Sequence, residues 1–257
     1  MVTRTLTRLS VNLNKVALLR NSRKLGIPSV VRAGAIVLDA GARGLTVHPR
    51  PDERHIRPQD VFELAELVRA RSNIEYNIEG NPFENLLDYA RKVRPHQCTL
   101  VPDNPAQLTS DHGWDLVRDA RRLKPIVGEL KSLGVRVSLF MDAEAQNMAK
   151  VAELGADCVE LYTEPYAKAY GTSDQARLIE QFAAAALSAR KAGLLVNAGH
   201  DLNCANLSPF LAAVQPVAEI SIGHALIADA LELGLAATVH AYLAAIERAN
   251  GNAAGHT

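Results

Sequence analysis

Cysteine, tryptophan and net charge are all scarce in this chain. Three cysteines occur among 257 residues, and Cys98, Cys158 and Cys204 lie far apart with no Cys-x-x-Cys pair. That excludes a disulfide framework and the usual zinc spacings, and it suits a reducing compartment in which thiols pack as small apolar groups. Lys plus Arg equals Asp plus Glu at 28 each, so no bulk charge points to nucleic acid or an anionic membrane. No stretch approaches the roughly 20 apolar residues that cross a bilayer, and the opening MVTRTLTRLS lacks the apolar core of a signal peptide. A cytoplasmic protein is expected, with no membrane or nucleic-acid partner. Glycine is absent from VNLNKVALLRNSR at 11–23, where a dinucleotide-binding sheet would carry its Gly-rich turn.

What is present is a regular alternation. Short, mostly apolar runs at 9–13, 45–48, 74–78, 98–102, 135–140, 158–163, 194–199 and 219–224 read as strands of a parallel sheet buried on both faces. Longer helical patterns separate them, several ending in glycine: Gly41, Gly134, Gly155 and Gly193. Eight strands alternating with helices predict an α/β fold, a (β/α)8 TIM barrel, over an open sheet. The length suits one such barrel of ~250 residues, so residues 1–257 are read as one domain with a disordered extreme C-terminus. An extra helix is expected in the connection after strand four, within 115–133, because Pro125 interrupts that segment.

Barrels of this kind carry their active sites at the C-terminal ends of the strands. Polar groups recur there: Asn12, Asn14 and Lys15; His48 and Arg50; Glu75 and Asn77; Asp142; Glu160 and Thr163; Asn197 and His200; Gly223 and His224. Convergence of His48, His200 and His224 on one rim, with Glu75 and Glu160 between them, points to proton transfer. Glu75 lies in an apolar run, where burial would raise its pKa for that duty; a structural salt bridge to a barrel arginine is the other role it could fill. His96, His112, His240 and His256 are read as surface residues. The turns at 197–200 and 221–225, with Arg20 and Arg23 in the first loop, suit an anionic ligand.

These residues resemble the pyridoxine 5′-phosphate synthase (PdxJ) family. The stretches that carry the resemblance are VNLNKVALLRNSR at 11–23, GLTVHPRPDERHI at 44–56, NIEYN at 73–77, PHQCTLVP at 95–102, VSLFMDA at 137–143, VNAGHDLN at 196–203 and IGHALI at 222–227. They occur in family order over nearly the whole chain. The resemblance implies condensation of 1-deoxy-D-xylulose 5-phosphate with 3-amino-2-oxopropyl phosphate to pyridoxine 5′-phosphate, phosphate and water, with no metal or organic cofactor. It implies His48 and Glu75 as proton acceptors and His200 as proton donor. Asn12, Arg23, Gly223 and His224 would hold the amino-ketone phosphate. Arg50, His55 and Thr109 would hold the xylulose phosphate, and Glu160 would add a carboxylate. It further implies a homo-octamer built as a tetramer of dimers.

The chain departs from the family pattern at three places. Asn14-Lys15 stands where many members have Asp-His, Asp201 where they have glycine, and Pro49 between His48 and Arg50. Lys15 could contact the xylulose phosphate as a cation. Asp201 would disfavour a nearby phosphate unless it points away or caps a helix. The loop at 103–113, with Pro105, Thr109 and Gly113, is read as a lid over the xylulose phosphate, with an ordinary surface loop as the alternative. Two other functions fit the same rim: a metal-dependent barrel hydrolase using His48, His200 and His224, and a barrel that binds a phosphorylated metabolite without turnover.

Overall fold

The computed structural model describes residues 7–104, 107 and 109–252, with the side chains of 250–252 left aside. His256, Pro105 and the expected disordered tail lie outside the described residues. Eight parallel strands, β1 (Arg8–Asn12), β2 (Gly44–Val47), β3 (Glu75–Gly80), β4 (Gln97–Leu100), β5 (Arg136–Met141), β6 (Cys158–Leu161), β7 (Leu195–His200) and β8 (Glu219–Ile222), close in chain order, with β1 paired to β8. Around them run α1 (Asn14–Asn21), α2 (Val30–Asp39), α3 (Pro58–Arg69), α4 (Leu86–Val93), α5 (Leu116–Ser132), α6 (Met148–Glu153), α7 (Glu164–Ala169), α8 (Gln175–Lys191), α9 (Leu207–Ala213), α10 (His224–Leu233) and α11 (Leu235–Asn252). This is the expected TIM barrel.

Local chemistry explains the boundaries. Ser29 caps α2 by accepting the Arg32 N–H, and Pro58 opens α3, where its missing N–H costs nothing. Gly41, Gly134, Gly155 and Gly193 all take positive φ where the chain leaves a helix, a conformation that a Cβ would disfavour.

Two expectations need correcting. Among the described residues, the connection after β4 holds one unbroken 17-residue helix and no extra one. Pro125 sits on the exposed face of α5, where the carbonyl that it leaves without an N–H donor can turn to water. Second helices instead follow β1, β6 and β8.

The strands are also not apolar on both faces. Leu9, Val11, Leu45, Val47, Tyr76, Ile78, Val137, Leu139, Val159, Leu161, Ile220 and Ile222 belong to the core shared with the helices. Most of their alternate neighbours are polar, and several bond across the barrel interior. Ser10 Oγ and Thr46 Oγ1 lie 2.8 Å apart, Ser221 Oγ donates to Thr46 Oγ1 at 3.1 Å, and Asn197 Nδ2 donates to Gln97 Oε1 at 3.2 Å. Mutual hydrogen bonds offset the desolvation that each would otherwise cost. This period of two places Glu75, Asn77 and Glu79 on the inner face of β3, at successively higher levels.

Candidate active site

At the C-terminal ends of the strands lies a cavity of about 440 Å³. It gathers the expected Asn12, Asn14, Lys15, His48, Arg50, His55, Thr109, Glu160, His200, Asp201, Gly223 and His224. Two expected residues are not among its lining. Arg23 is exposed beyond the end of α1, and its neighbour Arg20 is turned to structure, paired with Asp60 and donating to the His55 carbonyl at 3.0 Å. Glu75 is at the opposite end of the barrel, the first residue of β3, bonded to Arg8 and Arg136. Burial would raise its pKa, but the Arg136 hydrogen bond and the two guanidinium charges outweigh burial and hold its carboxyl below the usual range. Glu75 is thus held in a salt bridge away from the cavity, and its position and partners lend the expected proton-acceptor role no support.

The β3 carboxylate that does face the cavity is Glu79, four residues on and about 13 Å higher along the strand at ~3.3 Å per residue. Asn73-Ile74-Glu75 and Asn77-Ile78-Glu79 repeat the same tripeptide. The first begins just before the strand and the second ends near its C-terminus. A strand-end argument applied to the second copy points to Glu79 from sequence alone. Asn12 Nδ2 donates to Glu79 Oε2 at 3.3 Å. Burial first, then the nearby Glu160, Asp103 and Glu219 charges, push its pKa well up, only partly countered by Arg50. Glu160, also buried and receiving Thr99 Oγ1 at 3.4 Å, is raised to about 7, mainly by burial.

The three histidines differ in state for physical reasons. His48 is buried. Desolvation, followed by the Arg50, His55 and His200 charges, drives its pKa well down, so it is a neutral imidazole at neutral pH. Its backbone N–H donates to Asn14 Oδ1 at 2.9 Å, and Asn14 N–H in turn donates to Asn12 Oδ1 at 3.0 Å. Asn14 thus braces the rim from the start of α1. His55 is brought down to about 4 by burial and by Arg50 and Lys15. Its Nδ1 accepts the Ile56 N–H at 2.9 Å, which leaves Nε2 carrying the proton. His200 is the opposite case. Burial lowers its pKa, but Asp201, Glu160 and Asp103 raise it further than burial lowers it. Its Nδ1 lies 2.7 Å from Asp201 Oδ2 and its Nε2 3.0 Å from Thr109 Oγ1.

Asp103, which strand-end reasoning passes over, anchors the loop after β4. It pairs with Arg50 and accepts from Ser110 Oγ at 2.8 Å, and its carbonyl receives Asn81 Nδ2 at 2.7 Å. Arg50 is thereby held at the cavity wall. Across the cavity, Gly223 precedes α10, whose first residue is His224. A Cβ at Gly223 would come within 3.1 Å of the Asn12 side chain, so glycine lets β1 and β8 approach closely. The free N–H groups of the α10 start, with Lys15 and Arg50, give the cavity anion-binding groups on both sides. Among the described residues no three His, Cys, Asp or Glu side chains are grouped as a metal ion would need.

The barrel is similar to solved structures of distant sequence. Thiamine phosphate pyrophosphorylase from Pyrococcus furiosus matches with a TM-score of 0.60 at 12% identity, covering 96% of this chain and 98% of that one. 3-Hexulose-6-phosphate synthase matches with a TM-score of 0.60 at 15% identity, covering 93% and 99%. At such identity the likeness concerns the fold alone. Sequence relatives are much nearer. Pyridoxine 5′-phosphate synthase of Albidiferax ferrireducens is 60% identical over 245 residues, 93% of this chain and 97% of that protein. The proteins of the same name from Xanthomonas campestris pv. campestris and Xylella fastidiosa are 53% identical over 247 residues and 51% over 251, covering 93% and 95% of this chain and 96% of each relative. The family model described as pyridoxal phosphate biosynthesis protein PdxJ matches residues 9–248, and the chain belongs to that family.

Proposed function

We propose that the cavity condenses 1-deoxy-D-xylulose 5-phosphate with 3-amino-2-oxopropyl phosphate to form pyridoxine 5′-phosphate, phosphate and water, an enzymatic step of vitamin B6 biosynthesis. The observation that carries this reading is the pairing of a neutral His48 with a proton-rich His200 and Glu79 around one space flanked by anion-binding groups. The chemistry needs that combination. The amine adds to a ketone to give a carbinolamine. Its C–O bond then breaks, the oxygen leaving as water with a proton from His200 while the nitrogen lone pair forms the C=N bond. A C–H proton must be taken up, by the neutral His48, before phosphate is expelled, with Glu79 a second proton source, and ring closure repeats addition and dehydration.

Asn12, Gly223 and His224 at the β1–β8 side suit the amino-ketone phosphate, and Lys15, Arg50, His55 and Thr109 suit the xylulose phosphate. The loop at 103–113 acts as the lid. Its Thr109 reaches His200, and the Gln107 carbonyl receives an Arg54 N–H at 2.8 Å, so it already bridges the rim from two sides. No helix among the described residues is long and apolar enough to cross a membrane, and small phosphorylated substrates suit action in the cytoplasm. Exposed Leu18 and Leu19 of α1, Leu25 and Ile27 after it, and Leu231 and Leu233 of α10, which contacts α1, support a homo-oligomer, an octamer by the family resemblance.

The test is a coupled assay on chelator-treated protein, following pyridoxine 5′-phosphate and phosphate together. Product without added metal, lost in His200→Ala, is the expected result. Binding of both phosphate esters without turnover would replace the reading with a metabolite-binding barrel, and turnover restored only by metal would replace it with a metal-dependent one.

A further inference from the structure

Asp201, where the family pattern resembled has glycine, has a geometry of its own. Its Oδ2 lies 2.7 Å from His200 Nδ1. Its backbone N–H donates to Thr163 Oγ1 at 3.3 Å, and that hydroxyl donates to the Gly199 carbonyl at 3.1 Å. Gly199 has φ +155, and a Cβ there would fall 1.9 Å from the Ser221 carbonyl oxygen. The turn bearing Asp201 is therefore fixed from the segment after β6 and from β8. The rings of Phe140 and Tyr162 stand edge-on to His200 at centroid distances of 6.4 and 6.3 Å.

We propose that Asp201 is a positioning residue that holds the Nδ1–H of His200, so that Nε2 is the working nitrogen toward Thr109 and the cavity. This rests on reading His200 as the proton donor. The carboxylate fixes the ring's tautomer and its rotation, as a hydrogen bond to one ring nitrogen does for the other. It also stabilises the imidazolium. The other charged or titratable groups around the ring are Glu160 and Tyr162 from β6 and its end, Asp103 from the loop after β4, and His48 from the end of β2. Burial opposes the charge, and Asp201 is the largest contributor favouring it.

The experiment compares the parent with Asp201→Asn and Asp201→Gly by two readouts: histidine NMR of the resting enzyme across pH, and pH profiles of kcat and of KM for each substrate. In the parent, neutral His200 should carry its proton on Nδ1. Asp201→Asn should keep that tautomer, and Asp201→Gly should lose it. Both should titrate His200 lower by about one pH unit or more, and the alkaline limb of kcat should move down with it while KM stays put. A His200 titration unchanged in both variants would overturn the proposal. So would a raised KM with an unmoved limb, which marks direct substrate contact. Should the parent make no product, the catalytic reading fails by itself and the NMR titration still decides the pairing.

Discussion

The two ends of β3 carry the same tripeptide and opposite electrostatics. At the N-terminal end, Glu75 lies between Arg8 and Arg136, and its proton is held more weakly than usual. At the C-terminal end, Glu79 faces Glu160, Asp103 and Glu219, and its proton is held more tightly. Both ends open into a cavity, and the one around Glu75, of about 820 Å³, is the larger. Size therefore does not mark the reactive end. A paired carboxylate stores stability, whereas a carboxylate crowded by like charge stores a proton that chemistry can use.

The largest effect that would break this comparison is on turnover. Glu79→Gln should lower kcat by about 10²–10⁴-fold, while Glu75→Gln should leave kcat close to the parent's. Steady-state kinetics on both variants check this, and the reverse outcome would return the catalytic role to the other end.

Next comes stability. Glu75→Gln leaves Arg8 and Arg136 facing each other without a counter-charge, and should cost about 1–3 kcal/mol, less than a fully buried pair because both arginines reach solvent. Its folded pKa is depressed, so the Glu75 contribution is present above the unfolded value and lost as pH falls through the folded one. Urea unfolding from pH 7 to pH 3 should show the parent and Glu75→Gln converging in acid.

Glu219 sharpens the rule with the opposite sign. Burial, then Glu75 and Glu160, raise it to about 7. Between the ordinary carboxyl value of 4.5 and about 7 the folded state keeps a proton that the unfolded state releases, so stability falls as pH rises through that window. Glu219→Gln should therefore be more stable relative to the parent at pH 8 than at pH 5, read from denaturant midpoints at the two values. The smallest effect belongs to an exposed pair near Glu75. Asp39→Asn, which removes the negative charge facing Arg71, should change stability by less than about 1 kcal/mol, because solvent screens the pair.

Much of this is legible in the chain. The alternation of strand and helix, the glycines that close α2, α5, α6 and α8, and His48, His200 and Gly223 at strand ends all follow from spacing and the C-terminal-face rule. Glu79 is legible as well, once the period of two is carried along β3 and the end of the strand is preferred to its start. Pro125 misleads because helix disruption depends on which face the proline occupies, and that face is set by packing of α5 on β5. Arg23 belongs with the phosphate turns by resemblance, yet α1 carries it out to solvent.

The sequence by itself determined the architecture and the set of chemical groups at the rim, because strand and helix periods and strand-end positions are local properties. Tertiary structure alone decided which groups carry a proton. Glu75 meets Arg8 and Arg136 across 67 and 61 residues, and Arg50 meets Asp103 across 53. A pKa is set by burial and by neighbours in space, and only closure of the barrel brings those neighbours together.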